Sequence, residues 1–444
     1  MDFRSPAYDA RGSRAAEAVL RKMKELAIMN IRFRLLGLVL AGLASMGAQA
    51  AGPGHFTAAG VASIRQQTHA VVDRKEAAGI VTLVLQDGKP VLRDAYGYAD
   101  TEQKKPVRLD SVMAVASMTK PLTGVAMMML YEQGKWSLDD PVAKFVPQLA
   151  NLKVMDDSGR LVPMEHPQTM RQLMSHSAGF TYGVFADTPV DRIVRAAALT
   201  DPNSSLVGMI GKLSQLPLKH QPGSAWEYSV SVDVQGYIVE KLSGMPYAVF
   251  VREKILRPLK MKDSDFAVFG AARDRLALPH APDKSGALVP YLPAGGRDAV
   301  AREVPRLPSP GASLYSTALD YARFCQMIVN GGQLDGVRLL KPATVRLMHQ
   351  NALQPGVAVN LAGPGTTFGL DFAIAGDPST TQEPWPAGTY YWSGVYGTYF
   401  WIDPVNHLIV VGMIQRPWLP GTDASGSLVA RNAGGKAIYD ALSH

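Results

Sequence analysis

The sequence of 444 residues has a single cysteine, Cys325, which excludes an intramolecular disulfide. Cys325 lies in the amphipathic segment Tyr321–Val329. That pattern is compatible with a core residue and with a reactive thiol, and we interpret Cys325 as a small buried core residue. The nine histidines show neither a His-x-x-x-His nor a Cys/His metal spacing. We therefore expect no metal and no other cofactor.

Long runs of one charge are also missing. Charged residues make up 19% of the chain. Eight of the 45 Lys and Arg and four of the 38 Asp and Glu lie in the first 50 residues, so the remainder carries a net charge of only +3. A nearly balanced body without a basic stretch predicts no nucleic-acid partner.

The apolar run near the N-terminus is too short to cross a membrane. Leu35–Leu43 follows Arg32 and Arg34, and Ala48–Ala50 offers small residues at a cleavage position. This order is typical of an export signal, which we place within residues 1–50. We expect a periplasmic or secreted protein with no stable membrane insertion after cleavage. The alternative is a transmembrane anchor.

The first 28 residues do not fit a signal peptide, because they are polar and of mixed charge. We expect translation to begin at Met29, or at Met23, rather than at Met1. The folded domain of the mature chain is expected at residues 56–440.

A stretch of small and polar residues turns into an apolar helix at Ala114–Gly124 and carries the pair Ser117 and Lys120. Positions i and i+3 share one face of an α-helix, so the lysine amine can reach the serine hydroxyl. That hydroxyl is a poor nucleophile until a base takes its proton. Pro121 is tolerated only in a first helical turn, which predicts a helix that begins close to Ser117 and runs to Gln133. The pair alone also fits a helix-capping serine followed by a solvated lysine.

The order of elements predicts one sheet domain with an inserted helical lobe. Two strands flank the turn Asp87–Gly88, and the last third of the chain returns to strands around the turn Asp403–Asn406. We therefore expect an α/β (α+β) fold in which an antiparallel sheet is flanked by N- and C-terminal helices. The sheet domain is assigned to residues 56–115 and 310–440, and a mostly helical lobe to residues 116–309.

Three further segments give specific expectations. Residues 56–78 and 426–442 are predicted to be the terminal helices, and residues 278–310, rich in Pro and Gly, an irregular excursion. Met170–Gly179 is typical of a helix that runs into a tight loop. We expect His176 to fix this loop through a hydrogen bond rather than to act as a base, because no Gly-x-Ser-x-Gly elbow occurs in the chain.

Three motifs follow one another along the chain: Ser117-Met-Thr-Lys120, Tyr228-Ser-Val230 and Trp392-Ser-Gly394. With flanks such as Gly311-Ala-Ser-Leu-Tyr-Ser-Thr, they resemble the Ser-x-x-Lys, Tyr-x-Asn and Lys-Thr-Gly motifs of the penicillin-recognising serine hydrolases. The resemblance spans about residues 56–440. Tyr-Ser-Val and a third motif that begins with Trp are most similar to the family VIII carboxylesterases, whose fold matches class C β-lactamases.

The resemblance implies a serine hydrolase with a small-molecule ester or amide substrate. Ser117 attacks an ester carbonyl and forms an acyl-enzyme, while Lys120 and Tyr228 share the work of base and acid. The resemblance places the oxyanion between the backbone N–H groups of Ser117 and Val395. The motifs assign the resting proton to neither Lys120 nor Tyr228 in particular, and they indicate no oligomeric state.

Two departures from these motifs bear on the substrate. Val230 stands where class C β-lactamases place an asparagine, and Trp392 replaces the lysine that helps to hold a substrate carboxylate. Together with Ser393 and Gly394, Trp392 is expected to line the substrate site and to favour uncharged acyl or alcohol groups. The alternative for Trp392 is a strand residue packed under a lobe.

The sequence thus predicts an exported carboxylesterase. The second reading is a β-lactamase or D-Ala-D-Ala carboxypeptidase, which uses the same nucleophile. The third is a non-catalytic binding protein on the same scaffold.

Overall fold

An antiparallel sheet of eight strands lies at the centre of the fold. The structure is a computed structural model, and it describes residues 54–293, 296–300, 304–361, 365–379, 384–418 and 434–443. In spatial order, the strands of the sheet are Thr367–Phe368, Ala373–Ile374, Tyr390–Ser393, Tyr399–Asp403, Leu408–Ile414, Gly79–Gln86, Lys89–Asp100 and Lys105–Pro106. The predicted mixed fold with a large antiparallel sheet is confirmed.

The two central strands come from distant parts of the chain. Leu408–Ile414 pairs with Gly79–Gln86 over seven residue pairs, from Leu408 opposite Gln86 to Ile414 opposite Ile80. Leu408–Ile414 is buried at every position, which fits its continuous run of Leu, Ile, Val and Met. The helices Ala58–Asp73 and Ala318–Val329 pack against the sheet. The centre of the core is therefore built by residues from both ends of the described chain.

The predicted hairpin around Asp87–Gly88 is confirmed. Gly79–Gln86 pairs with Lys89–Asp100. Asp87 and Gly88 have φ angles of 51° and 73°, the left-handed conformations that a two-residue hairpin turn of type I′ requires.

Ten α-helices are found within the described residues. They are Ala58–Asp73, Lys120–Glu132, Met170–Met174, Pro189–Ala196, Leu206–Leu213, Ser231–Ser243, Tyr247–Val251, Ala318–Val329, Pro342–Met348 and residues 434–440. Shorter helical turns lie at Ala116–Thr119, Val142–Lys144, Pro147–Leu149, Arg252–Leu256, Gly270–Arg275 and Gly296–Ala299. No helix of the described ranges is long and apolar enough to span a bilayer.

Five pairs of short strands lie outside the main sheet. They are His55–Phe56 with Leu442–Ser443, Met113–Ala114 with Tyr315–Ser316, Lys153–Met155 with Leu161–Pro163, His280–Pro282 with Leu288–Pro290, and Gln333–Leu334 with Val337–Arg338. Helices Lys120–Glu132 and Ser231–Ser243 pack against each other in the middle of the chain. One hydrophobic core runs through these helices and the main sheet. The division into a sheet domain and a helical lobe stays a prediction.

Part of the segment predicted as irregular forms a hairpin, so that expectation is wrong there. His280–Pro282 pairs with Leu288–Pro290. The side chain of Asp283 closes the turn between them, because its Oδ1 accepts hydrogen bonds from the backbone N–H groups of Ser285 and Ala287 at 2.8 and 3.0 Å. An Asx turn of this kind was not recognised among the prolines and glycines.

The terminal helices differ in length from their predictions. The first ends at Asp73 instead of residue 78, since Lys75 takes a left-handed φ of 59°. The last is described only over residues 434–440, and Leu442 belongs to a short strand paired with Phe56. The predicted export signal, the alternative starts at Met29 and Met23, and residues 426–433 lie outside the described residues.

Candidate active site

Ser117 lies in a short helical turn, Ala116–Thr119, which we call the nucleophile turn and which runs directly into the helix Lys120–Glu132. Ala116 has a φ of 48°, a left-handed conformation that costs a non-glycine residue about 1 kcal/mol or more. The Thr119 hydroxyl donates to the Ala116 carbonyl at 2.7 Å, which holds this shape. The serine is thus presented on a strained turn that its neighbours fix in place.

Lys120 points its buried amine at Ser117. Nζ of Lys120 donates to Ser117 Oγ at 3.1 Å and to the Gly311 carbonyl oxygen at 2.9 Å. The same Nζ lies 4.6 Å from the centre of the Tyr228 ring. The structure therefore brings the Lys120 amine into contact with both of the other side chains that the sequence assigned to catalysis, the Ser117 hydroxyl and the Tyr228 ring.

Tyr228 enters the site from the segment Lys219–Val230, which we call the tyrosine loop and which precedes the helix Ser231–Ser243. The Tyr228 hydroxyl accepts a hydrogen bond from Nε1 of Trp392 at 3.1 Å. Both side chains are buried, and their ring centres are 5.2 Å apart. The indole of Trp392 is therefore directed at the phenol oxygen. A neutral N–H donor occupies the position at which the resembled motif carries a lysine.

Gly394 brings the third motif against the nucleophile turn. A Cβ at this position would clash with the Val115 carbonyl oxygen and lie 3.2 Å from the Ala116 Cβ. The Thr398 hydroxyl adds a hydrogen bond to the same Val115 carbonyl at 2.9 Å. Only glycine fits this close approach.

Val395 lies directly after this contact, and Ser393, before it, is half-buried at the end of its strand. The Val395 carbonyl accepts a hydrogen bond from the backbone N–H of Trp418 at 3.0 Å. Within the described part of the chain, the Val395 N–H donates to no protein acceptor. This N–H, one residue after the contact with the nucleophile turn, is thus available to donate to a negatively charged oxygen.

Asp233 is a buried carboxylate that the sequence analysis missed. It accepts hydrogen bonds from the Ser309 hydroxyl at 2.5 Å and from the Gly311 N–H at 3.3 Å. Burial raises the pKa of the Asp233 carboxyl, while the Ser309 bond and the charge of Lys120 act in the opposite direction. Asp233 thus fixes the loop whose Gly311 carbonyl receives the Lys120 amine.

Two more groups lie near Lys120, the half-buried Tyr182 and the buried Asp371. The Tyr182 hydroxyl donates to Asp233 at 3.4 Å, and its ring centre lies 5.3 Å from Lys120 Nζ. Asp371 accepts a hydrogen bond from Gln235 at 3.0 Å. Burial raises the pKa of the Asp371 carboxyl well above its ordinary value, although Gln235 and the charge of Lys120 lower it. The lysine is therefore enclosed by phenol rings and carboxyl groups.

His176 takes part in hydrogen bonds and not in the Ser117 contacts, as expected, but the loop that it fixes is the tyrosine loop and not the loop of Met170–Gly179 in which it lies. The Ser229 N–H donates to His176 Nδ1 at 3.3 Å, and the Glu227 N–H donates to the His176 carbonyl at 2.9 Å. Burial, together with the nearby charge of Lys120, lowers the pKa of His176 well below its ordinary value. The imidazole is neutral and accepts a hydrogen bond.

A network of charges also anchors the tyrosine loop. Nζ of Lys219 lies 2.8 Å from Glu227 Oε1 and 3.2 Å from Asp191 Oδ2. Desolvation opposes the charged forms of both carboxyls. Hydrogen bonds from Thr188, Thr181 and Lys219 nevertheless lower the pKa of Asp191, and those from His220 and Lys219 lower the pKa of Glu227. The residue before Tyr228 is thus held by a largely buried ion pair.

The chain matches a family model described as Beta-lactamase over residues 64–434. It is 33% identical over 373 residues to Protein Rv1367c of Mycobacterium tuberculosis, which covers 80% of this chain and 88% of that protein. It is 32% identical over 370 residues to Esterase EstB of Burkholderia gladioli, with coverage of 79% and 90%. Among solved structures, EstCE1, a hydrolase with promiscuous acyltransferase activity, is similar with a TM-score of 0.72 and 26% identity. That likeness covers 86% of this chain and 99% of EstCE1.

Proposed function

The chain belongs to the beta-lactamase family and is a serine hydrolase, and on this premise we propose that it is an exported carboxylesterase acting through an acyl-enzyme on Ser117. The observation that carries the proposal is the 3.1 Å contact between Lys120 Nζ and Ser117 Oγ, with the Tyr228 ring beside the same amine. The esterase relative supports ester hydrolysis as the reaction.

In the proposed acylation, Ser117 Oγ attacks the carbonyl carbon of the ester. The serine proton passes to the pair of Lys120 and Tyr228, whose amine and phenol ring lie 4.6 Å apart. The N–H groups of Ser117 and Val395 bind the negative carbonyl oxygen of the tetrahedral intermediate. The bond from the acyl carbon to the alcohol oxygen then breaks, and Tyr228 gives a proton to that oxygen.

In the proposed deacylation, water replaces the alcohol. The same pair takes a proton from the water as its oxygen attacks the acyl carbon. The bond to Ser117 Oγ breaks, the serine recovers its proton, and the carboxylic acid leaves. Asp233 keeps Lys120 in place through both steps, because it fixes the loop that carries the Gly311 carbonyl.

The neutral side chain of Trp392 supports a preference for uncharged esters. A lysine in the third motif would attract a substrate carboxylate, whereas the indole N–H is neutral and already bonded to the Tyr228 oxygen. The rings of Tyr182 and Phe185 lie next to Tyr228 as well, at centroid distances of 5.3 and 5.5 Å. An aromatic site of this kind favours apolar groups over the carboxylates of lactam antibiotics and peptides.

Export is proposed from the order of basic, apolar and small residues within residues 32–50. We place the mature protein in the periplasm or outside the cell. N-terminal sequencing of the protein recovered from the host's periplasm or medium tests this, and a start at or shortly after residue 51 is expected. An uncleaved chain in the cytoplasmic fraction would overturn this part of the proposal.

The catalytic part is tested by hydrolysis of p-nitrophenyl acetate and butyrate. We expect turnover by the wild type, and a loss of about a thousandfold or more in Ser117→Ala, because removing an activated nucleophile leaves only binding and oxyanion stabilisation. The matched control is Ser214→Ala, at the C-terminal end of the helix Leu206–Leu213, and it should keep full activity. No turnover by the wild type, or unchanged turnover in Ser117→Ala, refutes the esterase proposal.

Hydrolysis of the β-lactam nitrocefin distinguishes a carboxylesterase from the alternative, a β-lactamase. Nitrocefin turnover that far outpaces ester turnover would assign the protein to the β-lactamases instead. Labelling by a fluorophosphonate probe, located by mass spectrometry, is expected at Ser117. An unlabelled Ser117 in folded protein would favour the non-catalytic binding protein.

A further inference from the structure

The mouth of the site carries exposed apolar side chains that the proposed steps do not use. Val184, Phe185 and Val395 are 48%, 44% and 47% exposed. Single exposed apolar residues are ordinary, but several of them in segments that adjoin a candidate site are typical of a ligand-binding surface. Val395 follows the contact with the nucleophile turn, and Phe185 lies 5.5 Å from the Tyr228 ring, so the group adjoins the catalytic side chains.

Phe185 and Trp418 form an aromatic pair at this mouth. Their ring centres are 6.4 Å apart and their planes differ by 25°. The Trp418 backbone is held beside the third motif, since its N–H donates to the Val395 carbonyl and the Arg416 N–H donates to the Tyr396 carbonyl at 2.9 Å. Phe185 comes from the segment after Tyr182. Two distant segments therefore place rings on one side of the site.

The position of Phe185 against Tyr228 decides which part of an ester lies there. In the proposed mechanism Tyr228 gives its proton to the alcohol oxygen, so the alcohol group leaves on the side of Tyr228. Phe185 contacts Tyr228 directly. A flat apolar group bound against Phe185 and Trp418 would remove apolar surface from water and stack on aromatic rings.

We propose that Phe185 and Trp418 form a subsite for the alcohol part of the ester, and that good substrates carry a flat apolar alcohol group such as benzyl. The proposal rests on the proposed esterase function and leaves its bond changes as they are. The acyl carbon still forms a bond to Ser117 Oγ, its bond to the alcohol oxygen breaks, and that oxygen still receives its proton from Tyr228. The subsite holds the alcohol group while this happens, so it serves both binding and orientation.

The test compares kcat/KM for benzyl acetate and ethyl acetate, which share the acyl group and have leaving alcohols of similar acidity. The wild type should prefer benzyl acetate by about tenfold or more, as expected for a group of this size in an apolar pocket. Phe185→Ala and Trp418→Ala should each reduce this preference by roughly three- to tenfold, mainly through KM. Ethyl acetate should lose clearly less than benzyl acetate in both variants, because its small alcohol does not fill the subsite.

The matched control is Tyr98→Ala, which removes an equally exposed ring (46%) from the strand Lys89–Asp100 of the main sheet. It should change neither rate. Phe185→Tyr keeps a ring and should retain the benzyl preference. Equal losses for benzyl and ethyl acetate in Phe185→Ala would indicate a merely structural role and overturn the proposal.

Ethyl phenylacetate places the ring on the acyl side and distinguishes the two sides of the site. Phe185→Ala should reduce its rate less than it reduces the rate of benzyl acetate. If this substrate loses rate and benzyl acetate does not, the rings bind the acyl group and the alcohol subsite is wrong. If the wild type hydrolyses none of the esters, the esterase function itself fails. If it hydrolyses ethyl acetate without a benzyl preference, only the subsite fails.

Discussion

The nucleophile turn and the tyrosine loop deliver their side chains to one site, but different forces hold them. The backbone of the nucleophile turn is held by neutral contacts: the Thr119 and Thr398 hydroxyls bond to backbone carbonyls, and Gly394 packs against the turn. Next to Tyr228, the contacts are ionic, because Glu227 shares the amine of Lys219 with a second carboxylate. A neutral close-packed support depends on shape, whereas an ionic support depends on charge and pH.

Gly394→Ala should give the largest effect, because it adds a methyl group where the third motif touches the nucleophile turn. The new Cβ would clash with the Val115 carbonyl oxygen and displace Ser117 from the Lys120 amine. We expect kcat for p-nitrophenyl acetate to fall by about a hundredfold or more, since a displacement of 1 Å has a cost of that order.

The control for this variant is Gly211→Ala, in the helix Leu206–Leu213, where a Cβ would meet no atom within 4 Å. It should keep full activity and gain up to about 1 kcal/mol of stability. If the activity of Gly394→Ala stays within twofold of the wild type, the nucleophile turn tolerates the extra methyl group. Close packing would then not be what holds the turn, and the proposed difference from the ionic support of the tyrosine loop would be wrong.

Local patterns in the sequence were sufficient for the contact between Ser117 and Lys120 and for the first hairpin of the sheet, but not for the left-handed Ala116 that shapes the nucleophile turn. The i, i+3 spacing of Ser117 and Lys120 predicted their contact, and the Asp87–Gly88 pair predicted a hairpin, because both depend on neighbouring residues alone. A structural hydrogen bond of His176 was also expected, but its partner Ser229 in the tyrosine loop, 53 residues away, was not.

The support of Lys120 could not be predicted in the same way. Asp233 reaches Ser309 and Gly311 across more than 70 residues, and the Trp392 indole reaches the Tyr228 oxygen across 164. No spacing rule connects such pairs, since the sheet and the packed helices bring them together. The motif identified Trp392, but only the fold shows where its N–H points.

Lys219→Met tests the ionic support directly. Lys219 is 11% exposed and Asp191 is fully buried, so the variant leaves two carboxylates in a largely buried place without their cation. We expect the free energy of unfolding in urea at pH 7 to fall by about 3–5 kcal/mol, the usual cost of breaking a buried ion pair.

Lys144→Met is the matched control, because Lys144 is 53% exposed and pairs with Asp140 at the surface. Its removal should cost about 0.5 kcal/mol or less. Equal losses in the two variants would mean that burial adds nothing to the Lys219 network, and the tyrosine loop would have to be held mainly by His176.

Acid should weaken the tyrosine loop before the nucleophile turn. The pKa values of Asp191 and Glu227 are lowered from ordinary values of 3.8 and 4.5, because their hydrogen bonds and Lys219 outweigh the desolvation. Their contribution to stability is therefore complete above about pH 4.5 and is lost as the pH falls through the lower pKa values of the folded protein.

Urea unfolding of the wild type and Lys219→Met from pH 7 to pH 3 measures this contribution separately from all other carboxyls. The difference in the free energy of unfolding should shrink as the pH falls, since protonated carboxyls no longer need the cation. A difference that stays constant to pH 3 would contradict the ionic support.

Trp392→Phe should give the smallest effect, and it bears on the link between the two regions. The strand that ends in Gly394 also carries the indole that donates to the Tyr228 oxygen. Phenylalanine keeps a ring but loses the N–H, so one hydrogen bond of about 1 kcal/mol is removed and kcat should fall by roughly fivefold to tenfold with little change in KM.

Trp136→Phe is the matched control, because it removes another buried hydrogen bond of an indole, from Nε1 to the Met127 carbonyl at 2.9 Å, elsewhere in the core. It should cost similar stability and leave kcat unchanged. Trp392→Phe could instead keep kcat and change the ratio of kcat/KM values for uncharged and charged esters. Trp392 would then line the substrate site, as its position in the third motif indicated. Catalytic coupling between the nucleophile turn and the tyrosine loop would then depend on the contact of Lys120 with the Tyr228 ring and not on the indole N–H.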